Sequence, residues 1–387
     1  MGNNTIRMAM VGGGEGAFIG AVHRIAARLD GEIELVAGAF SGNPQKSAAM
    51  GAQLGLDPKR CYENYETLLH QEAALPASER VHFIAIVTPN HLHFPIAVAA
   101  IKQGFHVLSD KPATLSLSEA LQLREHLQHS SSLYGLTHTY TGYPMIKEAR
   151  HRIASGELGK VRKVVVEYAQ GWLANSEDEN SKQASWRLDS HQAGISCCMG
   201  DIGVHAANLT EYVTGLEIAS LCADLNTVVP GRQLDDDGTV LLRFANGAKG
   251  ILMASQVALG EENNLTIKIY GDKASVEWSQ MEPNSLWLKF ANAPAQLLRT
   301  GVGNLSSAAR QATRVPAGHP EGYLEAFANI YVNFANLIRA KQHSSEVQPE
   351  DFDVPGIDAA IRGMAFIENA VAASAKDTKW QPFTIGQ

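Results

Sequence analysis

Four glycines in five residues, set directly behind a short apolar run near the N-terminal end, constrain this chain more than any other feature. Ile6-Arg7-Met8-Ala9-Met10-Val11 has the length of a buried strand. Gly12-Gly13-Gly14-Glu15-Gly16-Ala17-Phe18-Ile19-Gly20 follows, and Ala21–Leu29 reads as a helix. Strand, glycine turn and helix form the geometry of a dinucleotide site. Glycines let the backbone approach a pyrophosphate, and the free N–H groups and positive dipole end of the helix face its charge. Gly12 and Gly14 fit the first two glycines of G-x-G-x-x-G. The third position falls on Ala17, which the motif tolerates, or on Gly20 if three inserted residues widen the loop. An ordinary surface turn is the alternative at this point.

The surroundings of the turn decide between these readings. Up to about residue 140, apolar runs alternate with helical patterns: strands over Ile33–Phe40, Val81–Val87, Phe105–Leu108 and Leu133–Thr139, with helices between them. This order predicts a doubly wound parallel sheet of the α/β class with right-handed crossovers, whose ligands bind at the carboxyl ends of the strands. Thr88-Pro89-Asn90-His91-Leu92-His93 and Ser109-Asp110-Lys111-Pro112 both follow strand ends and so line that crevice. The pattern then changes. A polar segment over 175–190 contains Trp186-Arg187, a helix spans Asp201–Val213, and closely spaced strands follow over Ile218–Asn226, Gly238–Phe244, Ala248–Ala258, Leu265–Tyr270, Ala274–Trp278 and Ser285–Phe290. Asn246-Gly247 and Gly271-Asp272 read as hairpin turns. Residues 291–320 read as loop, and 321–341 and 358–375 as helices. The expected organisation is a Rossmann domain over 1–143 and an α+β domain with an open, mainly antiparallel sheet over 144–387.

A formal charge of −8 argues against non-specific nucleic-acid binding, and no apolar run reaches membrane-spanning length. Cys61, Cys197, Cys198 and Cys222 lack metal or redox spacing, and no secretory signal pattern is present, so a cytoplasmic setting is expected.

Three places carry candidate chemistry. Lys111, at a strand end, can hydrogen-bond a substrate oxygen and favour its alkoxide; a solvated loop lysine is the plainer reading. Asp201 and His205 lie four apart at a helix start, on one face, where a carboxylate can orient an imidazole for acid–base work; a helix-terminal carboxylate and a core histidine are the plainer one. Asn90 either caps a helix or lines the nicotinamide side. The His91-x-His93 pair has no third ligand at sensible spacing, so no metal is expected.

Together these residues resemble the Gfo/Idh/MocA family, the glucose–fructose oxidoreductase and inositol dehydrogenase family. The resemblance runs in order over nearly the whole chain: the glycine turn with Gly20-Ala21-Val22-His23, Thr88 to His93, Lys111-Pro112, Trp186-Arg187, and Asp201 with His205. It implies a Rossmann domain, an open-sheet domain, and NAD(P)-dependent oxidoreduction of sugars, cyclitols or related polyols. It favours Gly20 as third glycine. It assigns catalysis to Lys111, Asp201 and His205, and places Arg187 near the sugar. Asp110 replaces the family's glutamate before the lysine, and Cys197 and Cys198 are bulkier than the family's glycine-rich approach to the aspartate.

The resulting expectations are specific. Cofactor contacts are Gly12, Gly14, Phe18, Ile19, Gly20, Ser41, Asn43, Lys46, Thr88, Pro89, Asn90, His93 and Lys111; substrate contacts are Arg187, His205 and Tyr140, with Gln256, Arg314 and His319 shaping the pocket. Phe40-Ser41-Gly42-Asn43-Pro44-Gln45-Lys46 lacks the carboxylate that would repel a 2′-phosphate and resembles the Ser-Gly-Asn-x-x-Lys of NADP-holding members, so NADP(H) is favoured over NAD(H). In oxidation, His205 accepts the hydroxyl proton, Lys111 stabilises the developing charge and Asp201 holds His205; the reverse roles for Lys111 and His205 form an alternative. Competing readings are a non-catalytic dinucleotide-binding regulator and an enzyme that recycles its cofactor within one turnover. The open sheet face predicts a homodimer or a dimer of dimers.

Overall fold

The computed structural model of the chain describes residues 5–175, 182–344 and 353–386. Packing divides it into two units: Met1–His138 with Phe327–Ile361, and Thr139–Ala326 with Arg362–Gln387.

The first unit holds five parallel strands: β1 (Ile6–Gly12), β2 (Ile33–Ala39), β3 (Phe83–Val87), β4 (His106–Ser109) and β5 (Tyr134–Leu136), in the order β2-β1-β3-β4-β5. All five residues of β3 are buried, as expected of a strand covered on both faces. Phe83 packs at 5.4 Å edge-on against Phe334 and at 6.3 Å against Tyr331, both from the stretch that returns to this unit after residue 326. Burying one such ring stabilises the fold by about 1.5–3 kcal/mol. Several connecting helices start where the sequence supplies a cap: the side chains of Asn43, Asn64 and Ser116 accept from Lys46, Thr67 and Glu119 backbone N–H groups. The strand order reverses between β1 and β3, so their carboxyl ends form the crevice at which such sheets bind ligands.

The second unit is a nine-stranded sheet. Its members are β6 (Lys163–Ala169), β7 (Ile218–Asn226), β8 (Asp237–Phe244), β9 (Lys249–Ser255), β10 (Asn264–Tyr270), β11 (Ala274–Ser279), β12 (Ser285–Phe290), β13 (Gln296–Arg299) and β14 (Gln381–Pro382), in the order β13-β12-β11-β10-β6-β9-β8-β7-β14. Burial alternates along most strands, so one face is packed and the other open. Gly247, at φ +90, closes the β8–β9 hairpin in a conformation that favours glycine.

The sheet is mainly antiparallel, as the close strand spacing predicts; β6 and β9 run parallel, in register from Lys163–Lys249 to Ala169–Ser255. This seam joins two antiparallel meanders and has no local sequence signature. The stretch read as loop over 291–320 contains β13 and a helix over Ser307–Gln311 capped by Ser306. The polar segment contains short helices over Lys182–Arg187 and Ser190–Ala193.

Candidate active site

In the first unit, β1 runs into Gly12 and Gly13, whose φ values of +87 and +70 only glycine adopts easily. A Cβ on Gly12 would lie 2.6 Å from the Val87 carbonyl oxygen, and one on Gly14 2.5 Å from that of Phe40. A Cβ on Gly20 would sit 2.4 Å from the Gly13 Cα. Gly20 therefore performs the close helix-to-turn packing of the third motif glycine, and Ala17 does not. Arg24 ties the turn down by donating to the Gly13 carbonyl at 2.7 Å.

The helix begins at Phe18, three residues earlier than the sequence suggested. Ala17 stands at its N-cap without a side-chain acceptor, which removes the usual start signal and leaves the first-turn N–H groups without a side-chain cap. Phe18 and Ile19 thus occupy the first helical turn instead of a wide loop, and Phe18 is 63% exposed. After β2, Asn43 Oδ1 caps the next helix through the Lys46 N–H at 3.0 Å, and Ser41 Oγ accepts from the Asn43 N–H at 3.2 Å. The Asn43 oxygen and the Ser41 hydroxyl oxygen therefore already serve the backbone.

At the end of β3, Asn90 is buried and the buried Thr88 Oγ1 has no protein hydrogen-bond partner. His93 is buried with Nδ1 2.7 Å from the Pro112 carbonyl and Nε2 2.8 Å from that of Thr88. It straps the loop after β3 to the loop after β4, and burial holds its pKa below the usual histidine range. A neutral ring carries one N–H, so this strut donates to one of the two carbonyls and packs against the other.

The Lys111–Pro112 peptide is cis. Beside it, Asp110 Oδ1 accepts from the Lys111 N–H at 2.9 Å and from Thr137 Oγ1 at 2.9 Å, and stands 4.0 Å from His23 Nε2. His23 is fully buried, its Nδ1 2.7 Å from the Tyr331 hydroxyl, and burial pushes its pKa down to about 4. Burial first, then the positive charge of Lys111, pushes His138 down to about 3. Both imidazoles are neutral at pH 7. The shorter carboxylate at position 110 keeps a role: it fixes the backbone that carries the lysine.

In the second unit, Asp201 lies in a π-helical turn over Met199–Gly203, ahead of the helix Val204–Thr214 that carries His205. The sequence expectation placed both in one regular helix; Asp201 instead lies in the π turn and His205 in the α-helix that follows it. Asp201 Oδ2 accepts from Arg187 Nε at 3.1 Å and from Gln256 Nε2 at 3.0 Å. Arg187 also stacks on Trp186 at 4.3 Å and Trp172 at 5.7 Å. The turn is held from below by buried Asp235, whose carboxylate accepts from the Cys197 and Met199 N–H groups at 3.1 Å and from Ser196 Oγ at 2.9 Å. Cys197 and Cys198 are buried, and burial pushes both thiols above their usual range, so neither is a reactive thiolate.

His205 is almost buried and perpendicular to the Tyr140 ring, with centroids 4.9 Å apart. Tyr140 meets the hydroxyl of Tyr168 with its own, and Asn263 bonds both. Arg314 pairs with Glu321 at 3.5 Å, and exposed His319 lies with Nδ1 3.0 Å from the Pro316 carbonyl. Sequence reasoning passed over Arg24, Thr137, His138, Tyr331, Tyr168, Gln170 and Asn263. Each matters through partners distant in sequence, and no local motif marks them. Among the described residues, no group of three or more His, Cys, Asp or Glu is arranged to hold a metal ion.

The model of an oxidoreductase family with an NAD-binding Rossmann fold matches residues 6–138, and that of the GFO/IDH/MocA C-terminal domain matches 146–277. The uncharacterized oxidoreductase YfiI of Bacillus subtilis is 34% identical over 98% of this chain and 97% of its own. The crystal structure of an oxidoreductase from Sinorhizobium meliloti superposes with TM-score 0.88 at 45% identity, covering 98% of this chain and 99% of that one. An inositol dehydrogenase homolog from Azotobacter vinelandii, complexed with NADH and myo-inositol, gives TM-score 0.90 at 34% identity, covering 98% of each chain.

Proposed function

The chain belongs to the Gfo/Idh/MocA oxidoreductases, and from that premise we propose that it transfers a hydride between a nicotinamide dinucleotide and a ring secondary alcohol, or its ketone, of a sugar, cyclitol or related polyol. The observation that carries this reading is the glycine cradle at the switch point, where a side chain on Gly12, Gly14 or Gly20 would collide with backbone. Those glycines, the first turn from Phe18, and Thr88 with its unpartnered hydroxyl oxygen fit a dinucleotide. When bound, that group supplies the hydride donor or acceptor.

The chain's own residues supply the proton chemistry. His205 accepts the hydroxyl proton in oxidation, and Lys111, seated by Asp110, hydrogen-bonds the same oxygen and stabilises its developing charge. Asp201, held by Arg187 and Gln256, keeps the turn before His205 in place. The A. vinelandii homolog holds NADH, which supports NAD(H) here. The segment after β2 carries no carboxylate against a 2′-phosphate, and Lys46 is exposed, which supports acceptance of NADP(H) as well.

The open sheet face supports self-association. Cys222, Leu241, Ile251 and Val165 form a half-exposed apolar row across four neighbouring strands. A homodimer or dimer of dimers covers it, in a cytoplasmic protein whose cysteines are all free. No helix among the described residues is long and apolar enough to cross a membrane.

The test is a panel of polyols and sugars with NAD and with NADP, repeated on His205→Ala and Lys111→Ala. Substrate-dependent reduction of the cofactor, lost in both variants, is expected. Unaltered rates in both variants sink the scheme. A monomer by light scattering at micromolar concentration refutes the assembly.

A further inference from the structure

The second unit contains a closed ring of hydrogen bonds that no motif announces. Tyr168 donates its hydroxyl proton to Asn263 Oδ1 at 2.7 Å, and Gln170 Nε2 donates to the same oxygen at 2.7 Å. That fixes the amide orientation, so Asn263 Nδ2 donates to the Tyr140 hydroxyl at 3.2 Å. With the Tyr168 proton committed, the short contact between the two hydroxyls runs one way: Tyr140 donates to Tyr168. Trp172 Nε1 completes the chain by donating to Gln170 Oε1 at 2.9 Å.

The consequence falls on His205. Its ring lies against both phenols, perpendicular to Tyr140 at 4.9 Å and inclined by 54° to Tyr168 at 6.3 Å. The two phenols are themselves perpendicular at 5.6 Å and each is 3% exposed. Rings this closely packed set one another's planes. Tyr140 was expected to touch substrate, but its proton already goes to Tyr168. What it offers His205 is a wall whose angle the ring of bonds sets.

We propose that Asn263 is a positioning residue for His205, acting through the locked Tyr140–Tyr168 pair. This rests on the reading of His205 as the proton acceptor. Without the amide, Tyr168 keeps no carboxamide acceptor, Tyr140 loses its donor, and buried hydroxyls turn to seek partners. The imidazole plane then loses its wall.

The experiment compares wild type, Asn263→Leu, Tyr140→Phe and the double variant. Two readouts are taken: steady-state kinetics on the best polyol of the panel, and the ¹⁵N ring resonances of His205, assigned by His205→Gln. Asn263→Leu is expected to lower kcat by about tenfold or more with KM little changed, and to shift the His205 ring resonances. Asn263→Asp keeps an acceptor for Tyr168 and Gln170 at nearly unchanged volume but loses the donor to Tyr140. It is expected to shift the same resonances and serves where the leucine variant folds poorly. The double variant is expected to be no slower than the slower single one, because both act through one contact. Unmoved His205 resonances in the folded Asn263 variants, or multiplying losses in the double variant, overturn the inference. Moved resonances with unchanged kcat leave the positioning intact and instead remove His205 from the reaction.

Discussion

Acidification offers a quantitative test of the buried cluster beside Lys111. His23 is fully buried, and its pKa in the folded chain lies near 4 against 6.5 for a free histidine. Because the folded value is lowered, the unfolded chain binds the extra proton first. The stabilisation from keeping His23 neutral is complete above pH 6.5 and is lost as the pH falls through 4. At 1.36 kcal/mol for each pKa unit, the loss contributed by His23 reaches about 3 kcal/mol by pH 4. The matching perturbation is His23→Gln, which retains a polar contact for Tyr331 but does not titrate. Hydrogen–deuterium exchange of the β1 and β3 amides at pH 7 and pH 4.5 reads opening in the first unit alone. The variant starts lower at pH 7 because packing against Phe327 and Tyr331 is lost. Between the two pH values it should lose about 2–3 kcal/mol less than wild type. Equal losses in the two proteins would refute the assignment of acid sensitivity to this buried ring.

Three further outcomes follow from the geometry. Gly20→Ala places a methyl group 2.4 Å from the Gly13 Cα, between backbone segments that cannot yield, so the affinity for NAD(H) should drop by about tenfold or more in a fluorescence titration, with a loss of about 1–3 kcal/mol in stability. Arg187→Met removes a donor to Asp201 Oδ2 and should cut turnover by about tenfold while the melting temperature moves by only a few degrees, as measured by steady-state kinetics and calorimetry. Arg232→Leu strips buried Asp236 of its cation, leaving the Val228 and Val229 N–H groups, and should cost about 3–5 kcal/mol in urea unfolding with activity per folded molecule unchanged.

The legible parts of this chain are those whose cause is local. An apolar run ending in glycines gives β1 and the turn, and burial on both faces gives β3 its unbroken hydrophobic stretch. Period-two alternation marks β12. Gly20 could be singled out because the spacing to His23 survives the insertion. The start of its helix could not, because Ala17 carries no capping atom. The spacing of Asp201 and His205 is legible, but the π turn over Met199–Gly203 is not, because spacing rules assume 3.6 residues per turn. The parallel β6–β9 seam, the strut made by His93 and the amide of Asn263 depend on partners many residues away. Such contacts are chosen by tertiary packing and leave no trace in a window of sequence.

The return of Phe327–Ile361 to the first unit has a consequence for biogenesis. A ribosome that has finished β5 still has roughly 190 residues to make before that stretch emerges, on the order of 10–40 s at about 5–20 residues per second. Throughout that interval Phe83 lacks Tyr331 and Phe334, and His23 lacks the tyrosine hydroxyl that meets its Nδ1. The nascent dinucleotide unit therefore presents an unfinished aromatic face to the cell while the second sheet is being made. Its burial waits on translation of the last sixth of the sequence, and in that window the face is open to misassociation.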